Sequence, residues 1–303
     1  GLICVAILRS IALILTPLEL GVDEAQYWLW SQTFDFGYFT KPPLTSWIIG
    51  LTHDLFGHNV WAVRIAAPWV HLGTALIIWK SAGWLYGAAA GRWAGALWML
   101  LPAVSLGSFV ISTDTPLLVF WAAALFFVIG VMCQRIRPHT GMFVAGLMLG
   151  GGMMAKYAAV YFLPGIVAFW LWQFSPRQPA SNATFSAPRL TAGHIGLFVT
   201  GMVITASPNL IWNLLHDFTT VRHLGDNANL AQHAFNLMDS LLGSLAFFGT
   251  QFITAGPVCF ALMLMVFRRP FDDPRHRLLI CLCVPPLAVI TVQAFLSEAN
   301  ANW

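Results

Sequence analysis

Runs of about 20 apolar residues recur along the chain, and a helix needs about that many to cross a bilayer. They are Leu2–Leu20, Val60–Trp79, Trp93–Ile111, Pro116–Cys133, Ile195–Trp212, Leu245–Phe267 and Leu278–Leu296. Gly141–Phe174 is also apolar, but it is too long for one helix and is interrupted by Met154-Ala155-Lys156-Tyr157. Read as two short spans turning at Lys156, it brings the expected count to nine. Hydrophobic residues make up 58% of the 303 and charged residues 9%, against about 45–50% and about 25% in soluble domains. A soluble fold could not hide that much apolar surface, so part of its solvent is lipid. The expected fold class is all-α, a polytopic transmembrane helical bundle forming a single domain over 1–303. Disordered, coiled-coil and disulfide-scaffold readings are excluded.

Charge gives the bundle a direction. With the N-terminus inside, the inner loops carry Lys80, Arg92, Arg135, Arg137, Arg177, Arg189, Arg268, Arg269, Arg275 and Arg277, as the positive-inside rule asks. The outside then holds Glu19, Asp23, Glu24, Asp35, Asp54, Asp114, Asp217, Asp226, Asp239 and Glu298, leaving only Asp272 and Asp273 inside. A single span over Gly141–Phe174 would move Arg177 and Arg189 outside, so charge favours the turn at Lys156. A net charge of +3 gives no basis for a nucleic-acid partner. Cys4, Cys133, Cys259, Cys281 and Cys283 lie in or beside apolar runs without metal-ligand spacing and read as small hydrophobes. The inner loops are short and read as connectors except Ser175–Gly193, a Ser/Pro/Ala-rich loop expected to be mobile, with Asn182-Ala183-Thr184 an incidental sequon on the inner side. The chain opens on Gly1 and stops at Trp303 shortly after an apolar run, so a piece of a longer protein is expected.

Two outer segments are long, Gly21–Asn59 and Asn213–Ser244. The first places two carboxylates, Asp23 and Glu24, at the mouth of the first span. The aromatics Tyr27, Trp28 and Tyr38 follow, then a lone Lys41 before Pro42-Pro43. Either carboxylate can cap the helix expected from Ala25 to Ser31, and Lys41 alone reads equally as a snorkelling interfacial lysine. A base and a cation at one apolar mouth also meet the needs of sugar transfer from a lipid phosphate. The carboxylate removes a proton from an acceptor hydroxyl, and the cation stabilises charge on the leaving phosphate.

Several motifs stand in one order on the outer side. They are Asp23-Glu24 with Tyr27, Tyr38-Phe39-Thr40-Lys41-Pro42-Pro43, Ser112-Thr113-Asp114-Thr115-Pro116, Ala155-Lys156-Tyr157, and Trp212-Asn213 with His216-Asp217. In that order they resemble the membrane glycosyltransferases of the protein O-mannosyltransferase superfamily, above all the bacterial branch of lipid A aminoarabinose and galacturonic acid transferases. The resemblance covers essentially the whole chain. It implies a GT-C fold, a polyprenyl-phosphate sugar as donor, and an active site on the periplasmic face of the inner membrane. It implies an acceptor that is a glycolipid such as lipid A, another envelope glycan or a protein. It implies inversion at the anomeric carbon, with Asp23 as base, Glu24 as its catalytic neighbour that orients or binds the acceptor, and Lys41 on the phosphate. Tyr27, Tyr38, Asp114, Lys156, Tyr157, His216 and Asp217 complete the expected binding set. No resident cofactor or obligatory metal is expected, and nothing resembles a nucleotide-binding loop.

Blander readings stand beside these. Asp114 suits an N-cap for the helix that Thr115-Pro116 begins, and Lys156 suits a partner for one of the outer acids. Asn213, His216 and Asp217 fall at helical spacing on one face, while Arg222 and His223 read as parts of a solvated interfacial helix. His216 with one carboxylate is thin for a zinc site. Arg9 stands inside the first span, where a charge costs at least about 2.5–3.5 kcal/mol. It calls for an acid partner in the bundle or for snorkelling. Two other functions keep the same bundle: a transporter or flippase of a lipid-linked sugar, and a non-catalytic remnant of the family. A transporter wants charges near mid-membrane and paired broken helices, whereas the polar residues here gather at one face.

Overall fold

The computed structural model describes residues 1–174, 188–220, 237–266 and 273–296. The described residues are helical, with no strand among them. In chain order the helices are α1 (Leu2–Leu15), α2 (Val22–Ser31), α3 (Leu44–Phe56), α4 (Val60–Arg64), α5 (Ala66–Tyr86), α6 (Ala88–Leu100), α7 (Pro102–Gly107), α8 (Asp114–Met132) and α9 (Pro138–Ala155). A 3-10 turn at Tyr157–Tyr161 precedes α10 (Phe162–Trp172), α11 (Ala192–Leu215), α12 (Leu237–Val266) and α13 (Pro274–Leu296). Five helical stretches are long and apolar enough to cross a membrane: Val60–Tyr86, Asp114–Met132, Ala192–Leu215, Ser240–Val266 and Pro274–Phe295. The expected nine spans are not reached by that measure. The run Trp93–Ile111 divides at Leu101, where Pro102 cannot continue α6 and starts α7 instead. Lys156 breaks the long apolar stretch as expected, with extended backbone (φ −156°, ψ 133°) directly after α9. The loop Ser175–Gly193 with its sequon, the segment Asn213–Ser244 with Arg222 and His223, and the terminal Asn300–Trp303 lie wholly or largely outside the described residues.

The helices group into two compact units, Gly1–Ala159 with Leu190–Thr220, and Val160–Arg189 with Val221–Trp303. In the first, α9 packs between α8 and α11, and α5 packs against α6 and α8. The α9–α11 contact is backbone on backbone. A Cβ on Gly146 would fall on the Phe198 carbonyl, and one on Gly201 would fall on the Phe143 carbonyl. Small residues at such crossings let two helices close to van der Waals contact, which drives helix association where lipid supplies no hydrophobic effect. Within α11, Pro208 cannot donate to the Ile204 carbonyl. The Ser207 hydroxyl donates to it instead, at 2.8 Å, so the bilayer-embedded backbone stays satisfied. Arg9 meets no acid. Its guanidinium donates to Ser108 Oγ (3.0 Å), Ser105 Oγ (2.8 Å) and the Met99 carbonyl (2.5 Å), at the α6–α7 break.

In the second unit α13 packs on α10 and α12, and α12 bends at Gly256 (φ 74°) before Pro257. Asp273 precedes α13 and accepts from the Arg275 guanidinium (2.7 Å between Oδ2 and Nη2), which holds its carboxyl below the usual range.

Candidate active site

The site is built on the first unit, at the end of the bundle where α2, α8 and the α9 break meet. The helix carrying the carboxylate pair begins earlier than expected, at Val22, with Gly21 at the N-cap. Glu24 thereby falls at the third helical position, and its Oε2 accepts the Gly21 N–H at 2.9 Å, as a capping-box acid does. The same carboxylate takes three more N–H groups. Arg64 Nε (2.9 Å) and the Ile111 N–H (3.0 Å) reach Oε1, and Arg64 Nη2 (2.7 Å) reaches Oε2. Arg64 also donates to the Leu18 and Glu19 carbonyls (2.9 and 2.7 Å). Glu24 is 1% exposed and Arg64 3%.

This corrects the expectation for Glu24. Both its oxygens are occupied and sealed from solvent, so it is an anchor that ties α2 to α4 and to the segment before α8. Arg64 is a key residue that sequence reading passed over. Its one signal was a cation four residues into an apolar run.

Asp23, next in sequence, points the other way. It is exposed and makes no hydrogen bond or ion pair among the described residues. One turn on, Tyr27 is buried, and its hydroxyl bonds Thr113. Burial, with Asp23 and Asp114 nearby, pushes that hydroxyl well up, so it stays neutral. Lys41 is half-buried in the loop between α2 and α3, within electrostatic range of Lys156, Asp23 and Asp114. Burial, then Lys156, lowers its pKa, and the two acids oppose that. Lys156 grips Asp114 with Nζ at 2.9 and 3.1 Å from the two carboxylate oxygens. Lys156 is 15% exposed and Asp114 51%, so the acid faces outward while the lysine is held beneath it. Asp114 is no N-cap: Thr113 holds that position, and Asp114 is the first helical residue of α8, where its charge favours the helix dipole. The structure thus brings Asp23, Tyr27, Lys41, Asp114 and Lys156 into one cluster, although they are drawn from four places in the sequence.

A second network holds the loop that carries Lys41. Tyr157 donates to Asn209 Oδ1 (2.6 Å) and accepts from Asn213 Nδ2 (2.9 Å). Asn209 Nδ2 donates to the Phe36 carbonyl (2.8 Å), and Thr220 Oγ1 donates to that of Tyr38 (2.8 Å). Gly37 lies flat on the Trp212 indole, where a Cβ would sit 2.5 Å from Cδ2. Tyr38 is stacked on Trp30 (5.1 Å, 3° between planes), and its hydroxyl donates to the Thr33 carbonyl at 2.7 Å. The Tyr27, Tyr38 and Tyr157 hydroxyls are therefore committed within the protein; Tyr27 and Tyr38 are buried and Tyr157 is half-buried. The unengaged polar atoms are elsewhere. Thr40 Oγ1, Trp212 Nε1 and Asn213 Oδ1 are buried without a hydrogen-bond partner.

His216 and Asp217 do not share a face with Asn213. The helix α11 ends at Leu215, Asn213 is buried, and Asp217 takes a left-handed backbone (φ 55°). His216 is exposed, stacked on Trp212 (4.0 Å, 13°), with Nδ1 2.8 Å from the Trp212 carbonyl. Among the described residues no group of three His, Cys, Asp or Glu is placed to hold a metal ion. The cysteines are free thiols.

An all-helical membrane bundle with an exposed carboxylate beside paired lysines at one end defines the class as an integral membrane protein with a polar site at its surface. The chain belongs to the family described as dolichyl-phosphate-mannose-protein mannosyltransferase, which matches residues 40–212. It is 36% identical over 301 residues to the lipid A galacturonosyltransferase RgtD of Rhizobium johnstonii, covering 97% of this chain and 59% of that protein. It is 27% identical over 205 residues to the undecaprenyl phosphate-alpha-4-amino-4-deoxy-L-arabinose arabinosyl transferase of Erwinia tasmaniensis, covering 57% of this chain and 37% of that one. The fold matches ArnT from Cupriavidus metallidurans, in its apo state and bound to undecaprenyl phosphate. Each match has a TM-score of 0.58 over 96% of this chain, at 15% and 16% identity. The chain spans about 59% of the length of the curated relative RgtD.

Proposed function

We propose that the protein to which this chain belongs transfers a sugar from a polyprenyl-phosphate donor to a lipid A acceptor, at the periplasmic face of the bacterial inner membrane. The single observation that carries the chemistry is Asp23, a carboxylate left unpaired and open beside Lys41 while its neighbour Glu24 is fully engaged. The relatives supply the substrate classes: one is named for lipid A, others for an undecaprenyl-phosphate donor.

In this reading Asp23 takes the proton of an acceptor hydroxyl. The freed oxygen pair forms a bond to the anomeric carbon from the face opposite the phosphate. The bond from that carbon to the phosphate oxygen breaks, the electron pair leaves with the polyprenyl phosphate, and configuration inverts. Lys41 meets the charge that grows on the departing phosphate. Lys156, clamped by Asp114, stands next to it as a second cation that a phosphate can engage by loosening Asp114. Thr40, Trp212 and Asn213 offer the unengaged polar atoms that sugar hydroxyls would satisfy.

The test is release of undecaprenyl phosphate from undecaprenyl-phosphate sugars by the full-length protein in membranes supplied with lipid A, wild type beside Asp23→Asn. Turnover in the wild type that drops by about a hundredfold or more in Asp23→Asn is the expected result. Undiminished turnover in the variant removes Asp23 as base, and absence of turnover in the wild type removes the transferase reading.

A further inference from the structure

Outside this cluster, the first unit holds a second concentration of polar groups. Arg9 stands on α1 six residues before its end at Leu15, about 9 Å along the helix axis. Its three hydrogen-bond partners are two hydroxyls and a carbonyl, all neutral. Among the described residues the ion pairs are Glu24–Arg64, Asp114–Lys156 and Asp273–Arg275, and none includes Arg9. Hydrogen bonds to neutral acceptors satisfy N–H groups but leave the monopole uncompensated, and a lone charge in a low-dielectric bundle calls for a counter-charge.

Two further groups face the same region. His71 of α5 is 2% exposed, lies close enough to Arg9 to feel its charge, and has the Gly107 backbone as its hydrogen-bond neighbour. Trp98 of α6, whose ring centre is 6.4 Å from that of His71, has a buried indole N–H with no partner. The unmet groups are therefore donors: the two N–H groups left on Arg9 and the Trp98 N–H. Buried polar groups are seldom left in this state, and a set of donors around an uncompensated cation is what an oxyanion satisfies.

We infer that Arg9, His71 and Trp98 form a phosphate-binding site inside the bundle, sharing no residue with the cluster around Asp23. The ligand is a phosphate group, carried by a membrane lipid or free. Arg9 supplies the charge and a forked pair of donors, Trp98 one fixed donor, and His71 a donor or acceptor according to its tautomer. Ser105 of α7 and Ser108 at its C-terminal end hold the guanidinium in place.

Native mass spectrometry of the delipidated full-length protein tests this, with undecaprenyl phosphate, phosphatidylglycerol or inorganic phosphate added in separate arms. The variants are Arg9→Gln, Trp98→Phe and, as a control, Lys80→Gln, an exposed lysine over Trp84 away from both clusters. Arg9→Gln is expected to weaken one retained phosphate ligand by about tenfold or more, the equivalent of losing one charge-assisted contact. Lys80→Gln is expected to leave that ligand bound. Arg9 also staples the α6–α7 break, so Trp98→Phe provides the cleaner reading. It removes one N–H, keeps the packing, and is expected to weaken the same ligand about threefold to tenfold. Protection by the two lipids alone assigns the site to a lipid headgroup, and protection by inorganic phosphate assigns it to a free anion. Retention equal to wild type in both Arg9→Gln and Trp98→Phe overturns the inference. The readout does not involve turnover, so it stands apart from the fate of Asp23.

Discussion

Replacing Glu24 by Gln removes the negative member of a buried pair and keeps its shape. The structure sets the size of the effect. Glu24 accepts four N–H groups, two of them from Arg64. A Gln can still accept at one oxygen, but its NH2 would face the donors now on the other, Arg64 Nη2 and the Gly21 N–H. Two charge-assisted bonds of roughly 1.5–3 kcal/mol each are lost. That agrees with the about 3–5 kcal/mol seen when a buried pair loses one partner and leaves the other charge uncompensated. Against a total stability of about 5–15 kcal/mol, Glu24→Gln is a severe lesion. Chemical denaturation in detergent micelles, followed by helix circular dichroism, reads it directly. The double variant Glu24→Gln/Arg64→Gln is expected to recover part of the loss, because it removes the orphaned charge, and the cycle isolates the coupling. A single variant within about 0.5 kcal/mol of wild type would refute the anchor and return Glu24 to the pool of chemically available carboxylates.

Lys41 carries a pH signature. Burial first, and then Lys156, push its pKa below the ordinary lysine value of 10.5. In the window between that lowered value and 10.5 the unfolded chain holds the extra proton. The stability cost of burying this ammonium therefore falls as pH rises through the window. Binding of undecaprenyl phosphate should decline over the same rise, as Lys41 loses its charge. Lys41→Arg should hold binding to higher pH, because a guanidinium stays protonated; superimposable binding profiles from pH 7 upward, in the two proteins, would sink the role. In the bundle, Gly146→Val drives a side chain onto the Phe198 carbonyl at the α9–α11 crossing. A loss of about 1–3 kcal/mol or more is expected from overpacking, read as a lower thermal midpoint, and an unchanged midpoint would show that the crossing is loose.

What the sequence determined by itself was mostly local and additive. Hydropathy sums over about 20 residues, so the membrane class, the helical fold and the break at Lys156 could be read without partners. Charge bias along the loops gave an expected side for the acids and lysines, and the structure places Lys41 within electrostatic range of Asp23. Motif order named the family. The remaining decisions were made by groups far apart in the chain. Glu24 and Asp23 are neighbours with the same chemistry. Only the approach of Arg64 and Ile111 takes Glu24 out of solvent and leaves Asp23 in it. Tyr157 reads as a sugar-binding tyrosine until Asn209 and Asn213 are seen to occupy its hydroxyl. Helical spacing put Asn213, His216 and Asp217 on one face, but α11 stops at Leu215 and the last two leave it. Burial and partner choice depend on which surfaces meet in three dimensions, and adjacency along the chain carries no record of that.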